Sequence, residues 1–292
     1  MIDRLVIDVN DETAPLASVV LGIAENRGPV SGNNPKARHH IKMGTLPTDE
    51  DLEREFDGFR AALEAQGVQV YRPKDIVGLT QMYARDIAFV IGRKIVKAPM
   101  IPERSGEYAA IEYLIDLIGE ENLLIPPEGV SVEGGDVLLH SGYVFVGQSK
   151  RTNDQGYKFL RDNFTDREVV PLEVVISEDH KKNILHLDCT FQPIGDGLAL
   201  FYEEGFVQRP DVIYDIFGEQ NLIRLTAKEM YAMFPNIFSV SPDTVVSEAG
   251  FDRLNQELRN KGLKVIEVPY SEAEKLSGLL RCSTLPLRRQ YE

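Results

Sequence analysis

The chain has 292 residues, 43% of them hydrophobic, and its 46 acidic residues outnumber 32 basic ones, for a formal net charge of −14 at pH 7. Such a chain can bury a large core, no apolar run is long enough to cross a bilayer, and nucleic acid is disfavoured because phosphate contacts require clustered Lys and Arg. With two cysteines in settings unlike a disulfide framework, and no export signal in residues 1–5, we expect a cytoplasmic protein.

The predicted elements repeat one pattern. Two short β-rich runs around a turn lead to an amphipathic helix and then to a short hydrophobic strand that ends near a proline. About five such passages occur, at a spacing of roughly 45 to 60 residues. In the first predicted helix, Leu52, Phe56, Phe59 and Leu63 share one face, and Thr48 is a plausible N-cap.

In chain order, the predicted elements are strand 17–22, helix 48–66, strand 68–73; strands 87–92 and 94–99, a helix around 111–118, strand 123–126; strands 137–139 and 143–146, helix 153–161, strand 169–171; strand 184–188, helix 212–217; strands 237–240 and 244–246, a helix around 251–258, strand 263–269. Each unit alone has too little apolar surface and needs neighbours on both flanks. The pattern therefore favours an α/β fold of five units closed around a pseudo-symmetry axis over an ordinary α/β sheet of irregular order. We expect one domain over residues 1–292.

Two segments lack periodicity. Residues 24–47 are rich in Gly, Asn, Pro and basic side chains and are not expected to form a packed element; a mobile lid and a disordered surface loop are equally good interpretations. Residues 271–287 also have loop character and contain Cys282, and loops are where site residues concentrate.

The two cysteines have different settings. Cys282 follows Arg281, and a neighbouring positive charge favours the nucleophilic thiolate. Cys189 lies in an apparent strand, where a small buried hydrophobic residue is the commoner interpretation.

Acidic residues and a histidine complete a candidate reactive set. In an alternating strand, His186 and Asp188 point to one face, so a proton carrier would lie beside an acid. The motif Glu133-Gly134-Gly135-Asp136 is either a sharp turn or a device that aims Glu133 at the imidazole. Asp86 either pairs with Arg85 at the surface or, with Asp188, holds a guanidinium in a planar fork.

This inventory suits attack by a thiolate on a planar cationic carbon such as that of a guanidinium. No HExxH, CxxC or EF-hand pattern occurs, so no metal site is predicted, and Gly-rich nucleotide loops are also missing. A Cys-His-acid hydrolase acting on peptides or amides remains an alternative on these residues alone.

Four signatures in this order, Arg85-Asp86, Glu133-Gly134-Gly135-Asp136, His186-Leu187-Asp188 and Arg281-Cys282-Ser283, resemble the guanidino-group-modifying superfamily. That superfamily includes arginine deiminases, dimethylarginine dimethylaminohydrolases, agmatine deiminases and amidinotransferases. The likeness spans nearly the whole chain. It implies a five-bladed ββαβ propeller, the pentein fold, that works without a cofactor.

The resemblance also assigns roles. It implies that Cys282 is the nucleophile, His186 the general acid/base and Glu133 the carboxylate that orients it. Asp86 and Asp188 would hold the guanidinium, and Arg151 and Arg104 would bind a substrate α-carboxylate. Asp188 stands where dimethylaminohydrolases usually have Lys. A carboxylate there favours an unmethylated or singly substituted guanidine, because bulky N-methyl groups would remove N–H donors.

The sequence thus predicts a hydrolase of a guanidino C–N bond in arginine or an arginine-like compound, working through a covalent cysteine intermediate. One alternative is an amidinotransferase that passes the amidino group to an amine, and another is a non-catalytic guanidine sensor. The expected partner is a small guanidino molecule, with no nucleic acid or membrane, and the sequence leaves both a monomer and a homo-oligomer open.

Overall fold

The computed structural model describes residues 4–291, so the start of the strand-like N-terminal run, residues 1–3, lies outside it. The strands are β1 (Leu16–Leu21), β2 (Gln69–Tyr71), β3 (Ala88–Ile91), β4 (Lys94–Lys97), β5 (Leu123–Leu124), β6 (Val137–His140), β7 (Tyr143–Gln148), β8 (Glu168–Glu173), β9 (Phe191–Ile194), β10 (Leu198–Phe201), β11 (Leu222–Arg224), β12 (Phe238–Ser241), β13 (Thr244–Glu248), β14 (Lys264–Val268) and β15 (Thr284–Arg289). The helices are α1 (Pro35–Met43), α2 (Asp49–Glu64), α3 (Ala84–Ile87), α4 (Glu112–Ile118), α5 (Asp154–Asn163), α6 (Asp211–Phe217), α7 (Ala227–Tyr231), α8 (Asp252–Asn260) and α9 (Ser271–Glu274). Within the described range, none of these helices is long and apolar enough to span a membrane.

The strands form five three-stranded sheets with one recurring topology. The orders are β15-β1-β2, β3-β4-β5, β6-β7-β8, β9-β10-β11 and β12-β13-β14. In each sheet the central strand pairs antiparallel with the first strand and parallel with the third. In the chain, a helix lies between the central strand and the third strand of each sheet. Two parallel strands require such a crossover connection, because a tight hairpin cannot join them. The fold is therefore α/β with a fivefold repeat of small sheets, in agreement with the predicted pattern.

The first sheet joins the two ends of the chain. Its first strand is β15, which pairs antiparallel with β1 so that Leu21 faces Thr284 and Val19 faces Pro286. Residues 275–283, including Cys282, form turns and irregular structure as expected, but the loop expected over residues 271–287 is wrong for α9 and for β15. A proline is tolerated there because β15 is an edge strand.

Helix α2 shows how the predicted apolar spacing builds the core. Leu52, Phe56, Phe59 and Leu63 are all fully buried, since the i, i+3, i+4 spacing places them on one face. The Thr48 side chain accepts the Asp51 N–H and caps the helix at its start.

Two other expectations need correction. Residues 24–47 contain helix α1, which is capped by Asn34 at its start and ended by Gly44 in the left-handed region. The predicted strand 184–188 is not formed, because Leu187–Cys189 is a 3-10 turn, and β9 and β10 follow it instead. Cys189 therefore lies in that turn rather than in a strand.

Candidate active site

Five of the predicted site residues, Asp86, Glu133, His186, Asp188 and Cys282, come together because each lies within a few residues before the first strand of a sheet. Asp86 is on α3 before β3, and Glu133 precedes the short turn into β6. The 3-10 turn that follows His186 leads to β9, and Cys282 comes two residues before β15. Repetition of one topology thus brings residues from distant parts of the chain to one place.

One side of the site, here called the proton side, is built on Glu133 and His186. The His186 Nε2 lies 2.8 Å from Glu133 Oε2, and Arg151 Nη1 donates to Glu133 Oε1 at 3.0 Å. Gly135 allows the close approach, because a Cβ there would lie 2.7 Å from the imidazole ring.

Charge around the imidazole favours its protonated form. Burial opposes a charged ring, but Asp86, Asp136 and Glu133 outweigh it and raise the pKa of His186 to about 9. Burial likewise opposes ionisation of Glu133, yet His186, Arg104 and Arg151 lower the pKa of Glu133 to about 2. At neutral pH the two residues therefore form a buried ion pair.

Asp136, the last residue of the Glu-Gly-Gly-Asp motif, supports the turn that carries the histidine. Its carboxylate accepts the Leu187 N–H at 2.9 Å and the Ser149 hydroxyl at 2.7 Å. Burial, only partly offset by His186 and these hydrogen bonds, raises the pKa of Asp136 to about 6.

Asp86 completes the proton side and is held by Arg104. Arg104 Nη1 donates to Asp86 Oδ2 at 2.7 Å, and its Nε and Nη2 donate to the two oxygens of Glu107 at 2.9 and 2.8 Å. The other Asp86 oxygen, Oδ1, is buried without a hydrogen bond and lies 3.8 Å from His186 Nδ1, which is also unpaired. A carboxylate oxygen and a ring nitrogen thus face each other across a gap.

The opposite side, here called the thiol side, contains Cys282 and Asp188. The Cys282 Sγ lies 3.7 Å from Asp188 Oδ2, which accepts Arg281 Nη1 at 2.8 Å. Arg281 Nη2 in turn donates to Glu12 at 2.8 Å. Burial raises the pKa of the Cys282 thiol well above its ordinary value, and the Asp188 and Asp86 carboxylates add to the rise. The thiol is therefore protonated at neutral pH.

A cavity of about 110 Å³ lies over the proton side and is lined by Asp86, Arg104 and Arg151. Residues 27–37, in the segment for which a lid and a surface loop were equally good interpretations, form its other wall and include Arg27 and Val30. Cys282, His186, Glu133 and Asp188 do not line it and are at most 2% exposed. Segment 24–47 therefore covers the site, while its mobility stays a prediction.

One group of side chains in residues 4–291 has the composition of a metal site. Ligand atoms of Asp86, Glu133 and His186 lie within 4.8 Å of one another. Glu133 and His186 are bonded to each other, however, and Arg104 and Arg151 direct guanidinium groups at the same carboxylates. Two fixed cations oppose a metal ion at these carboxylates, so the cluster suits a protonated His186 better than a metal ion.

Sequence reasoning missed several residues of the site. Glu12 forms a buried ion pair with Arg281, which is distant in the chain, and Glu107 forms one with Arg104, which is three residues away. Asn236 belongs to no reactive motif, although its backbone and side chain contact the nucleophile turn. The one available signal was positional: Asn236 lies just before the first strand of its unit, as the predicted site residues do.

The family model described as N,N-dimethylarginine dimethylhydrolase, eukaryotic, matches residues 34–289. The chain belongs to this family. YkgA of Bacillus subtilis, an uncharacterized protein, is 33% identical over 210 residues, which are 72% of this chain and 70% of that protein. The N(G),N(G)-dimethylarginine dimethylaminohydrolase of Pseudomonas aeruginosa is 28% identical over 197 residues, or 65% of this chain and 70% of that enzyme.

Similarity extends beyond the family to the wider superfamily. An arginine deiminase of Treponema denticola is 25% identical over 55% of this chain, which spans only 48% of that protein. Inosamine-phosphate amidinotransferase of Streptomyces griseus has the same fold, with a TM-score of 0.81 at 20% identity over 99% of this chain and 98% of that chain. The N-terminal domain of a cyanobacterial arginine dihydrolase gives a TM-score of 0.80 at 20% identity over 92% and 97%. The resemblance to the guanidino-group-modifying superfamily is confirmed.

Proposed function

We propose that this protein hydrolyses a guanidino C–N bond of arginine or an arginine-like compound through a covalent amidino-thioether on Cys282. The observation that carries the proposal is the buried pairing of a thiol and a carboxylate, with Cys282 Sγ 3.7 Å from Asp188 Oδ2, beside the His186–Glu133 pair. Family membership and the dimethylaminohydrolase and arginine deiminase relatives support guanidino hydrolysis.

The carboxylates would hold the guanidinium of the substrate. Asp86 Oδ1 has no hydrogen-bond partner and so is free to accept a substrate N–H, and Asp188 would accept another. Arg151 lines the cavity with only its Nη1 on Glu133, which leaves an edge of its guanidinium for a substrate α-carboxylate. Because Arg104 is engaged by Glu107 and Asp86, we assign it to holding Asp86 rather than to contacting the substrate carboxylate.

Binding of a cation would activate the thiol. The carboxylates that disfavour the thiolate in the free protein would be neutralised by the guanidinium, so the pKa of Cys282 falls and its proton is released to solvent. The thiolate then forms a C–S bond with the guanidinium carbon, and the electron pair of one C=N bond moves onto nitrogen.

His186 would move the remaining protons. As an imidazolium, its Nδ1 faces Asp86 and is placed to protonate the departing amine while the C–N bond breaks, since Nε2 is held by Glu133. The neutral ring then takes a proton from water as the oxygen attacks the amidino carbon. Collapse breaks the C–S bond and yields the ureido product and the regenerated thiolate, the ammonia or amine having left when the C–N bond broke.

An amidinotransferase shares every step up to the intermediate. The burial of Cys282, which is 2% exposed, favours keeping this alternative, because a site closed to water can preserve the thioether until an amine acceptor replaces water. A guanidine sensor would keep the pocket without using the thiol.

Product analysis tests these functions. The protein is incubated with arginine, agmatine, methylarginine or guanidinoacetate, with and without glycine or ornithine, and the products are identified by mass. A ureido product without acceptor is expected. Turnover only with an acceptor would replace hydrolysis by transfer, and binding without product would replace both by a sensor.

We also propose that the five sheets are arranged as a five-bladed propeller and that the chain acts as a single catalytic domain. Pairing of β15 with β1 supports a closed ring, because it joins the two ends of the chain within one sheet.

A further inference from the structure

Each sheet supplies a polar residue directly before its first strand, and in four sheets that residue already has a role in the proposed reaction. The fifth is Asn236, in the 3-10 turn Phe234–Asn236 before β12. It is fully buried, with 0% exposure, and is uncharged. A buried amide in this position requires an explanation through its hydrogen bonds.

Those hydrogen bonds connect the two halves of the thiol side. The Asn236 Oδ1 accepts the N–H of Cys282 at 3.0 Å, and its main-chain oxygen accepts the N–H of Arg281 at 3.1 Å. Its Nδ2 lies 3.5 Å from the main-chain oxygen of Asp188. One side chain therefore contacts the backbone of both the nucleophile and the carboxylate beside it.

The connection matters because the reacting groups are far apart in sequence. Cys282 and Asp188 are 94 positions apart, yet Sγ and Oδ2 lie 3.7 Å from each other. A guanidinium held by Asp188 reacts well only if its carbon lies about 3 to 3.5 Å from sulfur, and misplacement by about 1 Å can cost roughly 100-fold in rate. Contacts that fix the two backbones relative to each other thus bear directly on the rate.

We infer that Asn236 is a positioning residue that sets the separation of the Cys282 thiol from the Asp188 carboxylate. The inference rests on the proposed function, since it concerns the geometry of thiolate attack. Asn236 does not reach the cavity lining and has its polar atoms on protein backbone, so its effect is on the chemical step and not on substrate recognition.

The test compares Asn236→Ala with a matched variant, Asn255→Ala. Asn255 is 1% exposed, accepts the Ser247 hydroxyl at 2.6 Å and donates to the Glu248 main-chain oxygen at 2.9 Å, on helix α8. We expect Asn236→Ala to lower kcat about 100-fold with KM changed less than about threefold, while Asn255→Ala keeps kcat near wild type. Both should lower Tm, which separates positioning from general stability.

Asn236→Asp is a second variant of the same shape that retains an acceptor for the Cys282 N–H, lacks the donor toward Asp188 and adds a carboxylate beside the thiol. Because that carboxylate also disfavours the thiolate, Asn236→Asp should lower kcat at least as much as Asn236→Ala and slow formation of the covalent adduct in a single turnover. Wild-type kcat in folded Asn236→Asp or Asn236→Ala, or an equal loss of kcat in Asn255→Ala, would overturn the inference. Absence of turnover in the wild-type protein would instead refute the proposed function.

Discussion

The proton side and the thiol side of the site are equally buried but differ in charge. On the proton side, His186 and Glu133 are already an ion pair, with the pKa of His186 raised to about 9 and the pKa of Glu133 lowered to about 2. On the thiol side, Cys282 is neutral because burial and two carboxylates raise its pKa. A substrate cation would therefore act on the protonation of the thiol, and on the proton side it would pair with Asp86 while Glu133 still holds His186.

This difference explains why neighbouring groups can carry opposite tasks. In the proposed reaction the imidazolium would be ready to donate a proton before any substrate binds, whereas the nucleophile would form only when a substrate cation adds positive charge beside Cys282. Coupling the nucleophile to the cation would protect a buried thiolate from reacting with other electrophiles.

The largest effect is expected on the thiol side. Cys282→Ser should lower kcat more than about 10⁴-fold, because a serine hydroxyl is far harder to ionise, while the substrate still binds. Calorimetry of binding and steady-state rates measure the two quantities. Cys189→Ser is the matched control, since Cys189 Sγ lies 3.6 Å from the other oxygen of Asp188. Comparable losses in both variants would contradict a special role for Cys282.

The next largest loss of activity is expected from a substitution on the proton side. Glu133→Gln removes the charge that stabilises the imidazolium, so kcat should fall about 10²-fold to 10³-fold and the pKa of His186, followed by NMR, should decrease. Glu55→Gln is the control: Glu55 is buried and accepts the main-chain N–H groups of Glu272 and Ala273, and burial raises the pKa of Glu55 to about 7. An unchanged rate in Glu133→Gln would remove the orienting role.

The free energy of unfolding should depend on pH because of the His186–Glu133 ion pair. The pKa of His186 is about 9 in the folded protein against an ordinary 6.5. The contribution of His186 to the free energy of unfolding is therefore complete below pH 6.5 and disappears as pH rises through 9. Denaturant unfolding of wild type and His186→Gln should show their difference shrinking by roughly 2 to 3 kcal/mol between pH 6 and 10. A constant difference would mean that the pKa of His186 is the same in the folded and the unfolded protein.

The smallest predicted effect is a lower pKa of the Cys282 thiol in the presence of guanidinium, which tests the difference between the two sides directly. About 10 mM guanidinium, well below denaturing concentrations, should lower the pKa of Cys282. The change is followed by thiolate absorbance, as the difference between wild type and Cys282→Ser. Urea at the same concentration is a planar neutral control and should have no effect. Equal responses to guanidinium and urea would show that charge does not activate the thiol.

Local patterns in the sequence predicted much of the fold. Leu52, Phe56, Phe59 and Leu63 lie at helical spacing, and α2 forms where they predict it. The alternation around His186 resembles a strand, but the Leu187 N–H bonds to Asp136 instead of to a neighbouring strand. That partner is 51 residues away, so the turn could not be deduced locally.

Long-range contacts account for the other differences. Strand β15 pairs with β1 from the opposite end of the chain, and helix α1 is held by a hydrogen bond from the Ser277 hydroxyl to Asn34. The site motifs marked the residues with reactive groups, and the structure brings them together. Residues that act only by holding others, such as Glu107 and Asn236, have no chemical signature in the sequence and required the fold to be found.

The covalent intermediate tests the central claim most directly. Acid quenching of the protein during turnover of arginine or methylarginine, followed by intact and peptide mass measurement, should show an amidino adduct on the peptide that contains Cys282, absent in Cys282→Ser. Active protein that carries no adduct on rapid quenching while the Cys282→Ser variant still forms product would contradict the account.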